Sequence, residues 1–440
     1  MRSVGRLTTF GAILFSFLWA GSALGNEARP KNVIILIGDG MGPEQVESAR
    51  LLDPDGVLAM DEVDSEPGFA NTDNAFGEVT DSAAAGTALA TGQKSYNGAV
   101  SVDVDGKSLV TSFEIARANG KATGILSDVY MCDATPGVWL AHATRRSCSD
   151  IIPQQVVSDV GVFLGAGRTI AYASPRKNAH DFIEEMAEYG DYEVVGNNAE
   201  ELAAAQAPND KLLGIWNGYT VTYNIDRQND DGLNDPTLAQ MTAKAIEVLS
   251  RDPDGFFLMV EGGALDWMAH NRDIAGVARD TVAFDEAVAV AYDFASDDGD
   301  TLVVVTADHE CGGLVVGDSP NVEFIAGITA STDFMYGLVM RGEMSAEEVL
   351  ETYAGVAWDD LTAEEKQGVE DYGEMGISDV LTARANVEWG WSGRDEGNHT
   401  ATEVPVYAFG PGSEHPDWPL ESHIDNTHIG NLLLWAAGKD

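Results

Sequence analysis

Basic residues are scarce in this chain of 440 residues: 25 Lys and Arg stand against 72 Asp and Glu, for a formal net charge of −47. Proteins bind nucleic acids by neutralising phosphates with Lys and Arg, so this balance argues against nucleic acid as a dedicated partner. Self-repulsion of that size weakens the compact state unless salt screens it, and the Debye length falls to about 3 Å at 1 M salt. The composition therefore suits salty surroundings, with a general solubility device as the plainer alternative. Cysteine is scarce too. Cys132, Cys148 and Cys311 are all there is, which excludes a disulfide-scaffolded fold. Cys132 and Cys148 are placed to bridge in an exported chain, but sequence alone leaves the pairing open. Cys311 follows His309-Glu310 and reads as a small buried hydrophobe rather than a ligand. Beyond the N-terminus no apolar run approaches the ~20 residues that span a bilayer.

The beginning of the chain is of another kind. Arg2 and Arg6 form a basic start, Phe10 to Ala20 an apolar stretch, and Ala23-Leu24-Gly25 a site of small residues. This is the pattern of a signal peptide over residues 1–25, so the expected mature chain begins at about Asn26 and is periplasmic or secreted. A hydrophobic fraction of 44% is ordinary, and the length suits one large or two modest domains.

Apolar, β-branched runs alternate with helical stretches, which predicts an α/β fold with a large, mostly parallel central sheet. Val33 to Ile37, Ala122 to Leu126, Phe256 to Val260, Leu302 to Thr306 and Val404 to Phe409 read as its strands. Asp235-Pro236 is expected to cap a helix over Thr237 to Leu249, and Ala83 to Ala90 is an alanine-rich helix entered from Thr80-Asp81-Ser82. From about Asn321 to Asn398 the strand signal fades, acids dominate, and capping boxes begin at Ser345 and Thr362. This segment reads as an acidic insertion into a single domain spanning 26–440.

In open α/β sheets ligands bind beyond the carboxyl ends of the strands. Here three strands lead into acids: Gly38-Asp39-Gly40, Glu261, and Asp308-His309. One such carboxylate is unremarkable as a cap or turn; three point to a shared metal site. Asp266 and His270 lie four apart and share a face if helical, an oxygen and nitrogen pair suited to zinc, although a structural Asp–His pair looks the same in sequence. His399 precedes the last strand. Asp39, Asp266, Asp308, His270, His309 and His399 are too many ligands for one zinc ion, so two are expected. Glu261 and Thr135 offer oxygen without nitrogen, which suits Mg²⁺. His142, His180, His415, His423 and His428 lack such company. Ser82, where the chain turns into the alanine-rich helix, is the candidate nucleophile, with a plain N-cap as the bland alternative. It sits in no Gly-x-Ser-x-Gly elbow, so its activation would fall to a metal.

Six runs in order then resemble those of alkaline phosphatases: Ile37 to Gly42, Thr80 to Ala88, Asp133 to Pro136, Glu261 to Asp266, Thr306 to Glu310 and Asn398 to Thr400. The resemblance implies hydrolysis of phosphate monoesters with broad specificity, a phosphoserine intermediate, two zinc ions and one magnesium ion, and a homodimer. It implies that Ser82 is phosphorylated and also contacts metal. Asp39 bridges the second zinc and magnesium, Asp308 and His309 complete the second zinc, and Asp266, His270 and His399 hold the first. Thr135 and Glu261 bind magnesium, with Asp133 reaching it through water. Arg146 stands in the place of the phosphate-clamping arginine, with Arg145 as competitor, and Trp267 takes a substrate-contacting position where some members carry lysine. A sulfatase on the same scaffold would need a cysteine nucleophile in a Cys-x-Pro-x-Arg context, which is missing. A phosphodiesterase is the other related reading. A calcium-binding protein is an answer of another class, on the oxygen-rich stretch Asp226 to Asp235, which lacks the terminal Glu of an EF-hand.

Overall fold

The computed structural model describes residues 29–63, 67–168, 179–216, 218–229, 234–393, 396–415 and 423–439. The expected signal peptide, and Asp230, Asp231 and Gly232 of the oxygen-rich stretch, lie outside the described residues. Among the described residues twelve strands occur in chain order: β1 Asn32–Gly38, β2 Gly68–Asn71, β3 Ala122–Tyr130, β4 Val162–Ala166, β5 Glu193–Val195, β6 Leu212–Ile215, β7 Phe256–Gly262, β8 Thr301–Ala307, β9 Glu310–Cys311, β10 His399–Thr400, β11 Val404–Phe409 and β12 His423–Asp425. Ten of them form one sheet in the order β12-β2-β11-β8-β1-β7-β3-β4-β6-β5, with β9 and β10 paired apart. Only β11 runs antiparallel to its neighbours β2 and β8, so the sheet is mostly parallel, as expected from the alternation of strands and helices.

The middle of the sheet is apolar on both faces. Val33, Ile34, Ile35, Leu36 and Ile37 of β1 are fully buried, as are Leu302 to Val305 of β8. Helices cover both faces of a parallel sheet, and each such side chain contributes roughly 1.5–3 kcal/mol by leaving water. Register then sets up the site. Gly38 of β1 pairs with Gly262 of β7 and with Ala307 of β8, so the three strands end level. Asp39 and Asp308 therefore emerge side by side.

Helix starts are mostly where side chains predict them. Ser345 and Thr362 close full capping boxes with Glu348 and Glu365. One start differs: Thr237, not Asp235, caps the helix Leu238–Leu249 in a capping box with Gln240, so Pro236 lies outside it. Asp235 instead accepts from the Thr222 backbone N–H at 2.7 Å and pairs with Arg227 at 3.2 Å. Between β9 and β10 the chain is helical, from Val322–Gly327 to Glu374–Ala385. Its buried residues, among them Ile328, Met335, Val349, Leu350 and Leu381, close on Ile225 and Ala275 of the main body. No helix among the described residues is long and apolar enough to cross a membrane.

Candidate active site

The serine helix spans Ser82–Thr91. Its N-cap is Asp81, whose carboxylate accepts from the Ala84 N–H at 3.0 Å. Ser82 is thus the first helical residue and its hydroxyl is spared from capping. Buried, it faces His309 Nε2 at 3.2 Å, and Arg146 Nη1 donates to it at 3.4 Å. Arg146 Nη2 donates to Asp133 Oδ1 at 2.6 Å, and Asp81 lies 3.6 Å from Nη1. Arg145 points away, 71% exposed at its side chain, and pairs with Asp150 at 2.8 Å. Of the two arginines, Arg146 alone faces Ser82.

Around the serine the strand ends bring the remaining groups together. His309 Nε2 lies 3.4 Å from Asp39 and 3.3 Å from Asp308. Asp266 and His270 share one face of the helix Ala264–His270, 3.3 Å apart, and His399 Nε2 lies 3.6 Å from Asp266. The His309 and His399 rings stack at 3.5 Å between centroids. Two histidines have their far nitrogen fixed by a carbonyl, His270 Nδ1 by Gly397 at 2.5 Å and His399 Nδ1 by Thr80 at 2.9 Å. That leaves each Nε2 facing the acids, which is how a ligating imidazole is oriented. On the other side Thr135 donates to Asp39 at 3.2 Å. The turn between Asp39 and Met41 requires Gly40: its φ is +72°, and a Cβ there would meet the Asp266 backbone at 2.9 Å.

The electrostatics call for cations. Burial first, then Asp308, Asp266, Glu261 and Asp133, push the Asp39 carboxyl well above its ordinary range. Burial and neighbouring acids do the same to Glu261, and Asp308 is raised to about 7. Burial disfavours the charged form of Asp266 as well, but the three imidazoles, His270 foremost, hold it well below the usual range. Burial above all, with His399, His270 and Arg146 nearby, pushes the His309 imidazole well below its ordinary value. Asp39 Oδ1, Asp308 Oδ2, Asp266 Oδ1, both Glu261 oxygens and His309 Nδ1 are buried without a well-formed hydrogen bond. Buried carboxylates in that state are costly unless a cation compensates them. Asp39, Asp266 and His309, and separately Asp266, His270, Cys311 and His399, each bring ligand atoms within 4.8 Å of one another. Carboxylate plus imidazole is a donor set that fits zinc; Glu261 and Thr135, oxygen donors alone, fit magnesium.

Some contributors carried little signal in the sequence. Asp81 was legible only as part of the turn into the helix, yet it caps the serine helix, accepts from the Gly98 N–H at 2.9 Å and stands beside Arg146. Asp128, from β3, accepts from the N–H groups of Gly263 at 2.6 Å and Ala264 at 3.1 Å. It thereby caps the helix that carries Asp266 and His270, whose own cap residue is a glycine. Desolvation raises Asp128 to about 6 against those bonds. Cys132 and Cys148 are joined in a disulfide, and Cys311 is buried and free. Of the histidines set aside in the sequence, His142 contacts Glu114 at 3.2 Å and His423 contacts Glu403 at 2.5 Å.

A serine at a helix N-terminus, ringed by carboxylates and imidazoles beyond the ends of parallel strands, defines a metal-dependent hydrolase. The alkaline phosphatase family model matches residues 30–439. Alkaline phosphatase 3 of Bacillus subtilis (strain 168) is 34% identical, over 98% of this chain and 96% of that protein. The alkaline phosphatase of Escherichia coli (strain K12) is 36% identical over 70% and 76%. Among solved structures, a cold-active alkaline phosphatase from the psychrophile Shewanella sp. is similar with TM-score 0.79 and 30% identity, covering 93% of this chain and 100% of that one. The Thermus thermophilus alkaline phosphatase has TM-score 0.83 and 26% identity over 97% and 96%. The chain belongs to the alkaline phosphatase family and is a phosphoric monoester hydrolase of the bacterial type.

Proposed function

We propose that this enzyme hydrolyses phosphate monoesters with broad specificity through a phosphoserine on Ser82, at a site for two zinc ions and one magnesium ion. The observation that carries the reading is the convergence of Asp39, Asp308, His309, Asp266, His270 and His399 on Ser82, with buried oxygens left unsatisfied. Asp39, Asp308 and His309 would hold one zinc, Asp266, His270 and His399 the other, and Thr135 and Glu261 the magnesium, with Asp133 through water and Ser82 itself in contact with metal. When bound, the ions supply Lewis acidity that lowers the pKa of hydroxyl and water and offsets charge on the leaving oxygen. Ser82 Oγ attacks phosphorus, forming the Oγ–P bond as the bond to the substrate oxygen breaks and the alcohol leaves. Arg146, held by Asp133 and Asp81, and the N–H groups of the serine helix bind the phosphoryl oxygens. Water then cleaves the Oγ–P bond, releasing phosphate and restoring Ser82. These groups contact the phosphate and little else, which supports broad specificity.

The same reading takes residues 26–440 as one catalytic domain with an acidic insertion at about 321–398, exported to the periplasm or medium, adapted to salt, and dimeric. The Cys132–Cys148 disulfide supports an oxidising compartment. The test is p-nitrophenyl phosphate hydrolysis near pH 9–10, before and after EDTA, restoring Zn²⁺ and Mg²⁺ separately and together, with Ser82→Ala alongside. Loss on chelation, recovery with zinc and an inactive Ser82→Ala are expected. Activity indifferent to chelation or to Ser82 would sink the mechanism.

A further inference from the structure

The helix that carries Asp266 and His270 ends on an arginine turned inwards. Asn271 and Arg272 follow His270, and the Asp273 N–H returns to the Met268 carbonyl at 2.9 Å, the closing bond of a left-handed helix end. Arg272 makes that turn with φ +55°, a place that glycine or asparagine usually fills. Its side chain is nevertheless among the largest that are fully buried, 1% exposed. A buried guanidinium is costly unless its donors find acceptors. Here Nη1 pairs with the Asp379 carboxylate and also donates to the Trp391 carbonyl at 3.3 Å, while Nη2 donates to the carbonyls of Gly393 at 2.8 Å and Met375 at 3.4 Å. Asp379 in turn accepts from the Gly393 N–H at 3.0 Å.

All four acceptors belong to the later part of the segment between β9 and β10. Met375 and Asp379 lie in the helix Glu374–Ala385, and Trp391 and Gly393 in the strap that leads back to β10. The same strap is stitched to the turn after β9, by the Gly390 N–H to the Gly312 carbonyl and the Gly312 N–H to the Asn398 carbonyl, both at 2.9 Å. It ends at the metal cluster. The Gly397 carbonyl holds His270 Nδ1, the Gly397 N–H donates to the His270 carbonyl at 2.8 Å, and two residues further along stands His399. Arg272 therefore follows one candidate ligand by two residues and grips the chain six residues before another. A planar guanidinium holds several acceptors at once, which a lysine ammonium on its flexible stem does not reproduce.

We propose that Arg272, with Asp379 as its counter-ion, is a positioning residue for the zinc that Asp266, His270 and His399 would hold, fixing the strap that brings the Gly397 carbonyl and His399 to that site. The proposal rests on the two-zinc reading of the pocket. Zinc bound per protein is measured on the full chain against a chromophoric chelator, for wild type, Arg272→Asn, Arg272→Lys and Asp379→Asn. Asparagine suits the left-handed backbone, so Arg272→Asn removes the clamp and spares the turn. The Asp379 side chain is 35% exposed, so Asp379→Asn decides the matter if Arg272→Asn does not fold. One of the two zinc ions should bind about 10–100-fold more weakly in Arg272→Asn and the other as in wild type, with Arg272→Lys and Asp379→Asn in between. Hydrolysis of p-nitrophenyl phosphate by Arg272→Asn should be low at stoichiometric zinc and return in excess zinc, with KM near wild type because Arg146 is untouched. Unchanged affinity for both ions, an equal loss at both, or a deficit that excess zinc does not repair would overturn the positioning role and leave the hydrolase intact. A wild type that binds no zinc and hydrolyses equally well without it would overturn the two-zinc reading, and this proposal with it.

Discussion

Replacing Asp128 by Ala should loosen the candidate metal site without touching any of its proposed ligands. Its carboxylate is the cap of the helix Ala264–His270, receiving the Gly263 N–H at 2.6 Å and the Ala264 N–H at 3.1 Å. Gly263 has no side chain to take over, and the helix is only two turns long, so its direction depends on that start. Loss of an N-cap costs about 0.5–2 kcal/mol, and stranding two N–H groups about 1–3 kcal/mol each if no water reaches them. Asp128 is half-buried, so water can replace part of the loss. Removing a carboxylate already strained by desolvation offsets more. The net effect on stability should be about 1–2 kcal/mol. The larger consequence falls on metal affinity, because Asp266 and His270 both ride on this helix; partners that orient ligands are worth about 10–100-fold. Zinc competition against a chromophoric chelator, with melting curves of the metal-free and loaded forms, measures both. Asp128→Asn, which keeps one acceptor oxygen, should fall in between. An Asp128→Ala protein with wild-type zinc affinity and wild-type melting would refute the idea that this cap positions the ligands.

Arg146→Ala should lower kcat/KM for p-nitrophenyl phosphate by about 100-fold, two charge-assisted bonds being worth about 1.5 kcal/mol or more each, and should weaken inhibition by inorganic phosphate. Arg145→Ala should change both less than about threefold; equal losses in the two variants would contradict the assignment. Reducing the Cys132–Cys148 bond, which closes a loop of sequence separation 16, should cost about 3 kcal/mol, read as a lower denaturation midpoint in Cys132→Ser/Cys148→Ser. Raising NaCl to about 1 M should increase both melting temperature and activity, since the −47 charge is then screened, and flat or falling curves would count against salt adaptation. The His142–Glu114 contact raises the imidazole and lowers the carboxylate. The share from His142 is complete below its unfolded pKa of about 6.5 and disappears as pH rises through the raised folded value, whereas that from Glu114 is complete above its unfolded pKa of about 4.3 and is lost as pH falls through the lowered folded value. The melting difference between wild type and His142→Ala should therefore be greatest near pH 6 and shrink as pH rises through the raised His142 value; a difference that grows with pH would contradict this.

Much about this protein follows from local order in the chain. An apolar β-branched run such as Val33 to Ile37 has no stable place except the middle of a sheet covered on both faces, and Ser345 and Thr362 cap helices through side chains three residues away. The i, i+4 spacing of Asp266 and His270 put them on one face of a helix before any fold was known, and the ordered motifs marked the family. Tertiary structure decided what depends on groups distant in the chain. Only the level ends of β1, β7 and β8 set Asp39 beside Asp308. Only the path of the chain within the loop closed by the Cys132–Cys148 bridge turned Arg146 inwards and left Arg145 in solvent. The capping of Leu238–Leu249 by Thr237 rather than Asp235 was settled by Thr222 and Arg227, which claim the aspartate. Asp128 had no signature at all, because a carboxylate that caps a helix more than a hundred residues away leaves no periodicity or spacing to read.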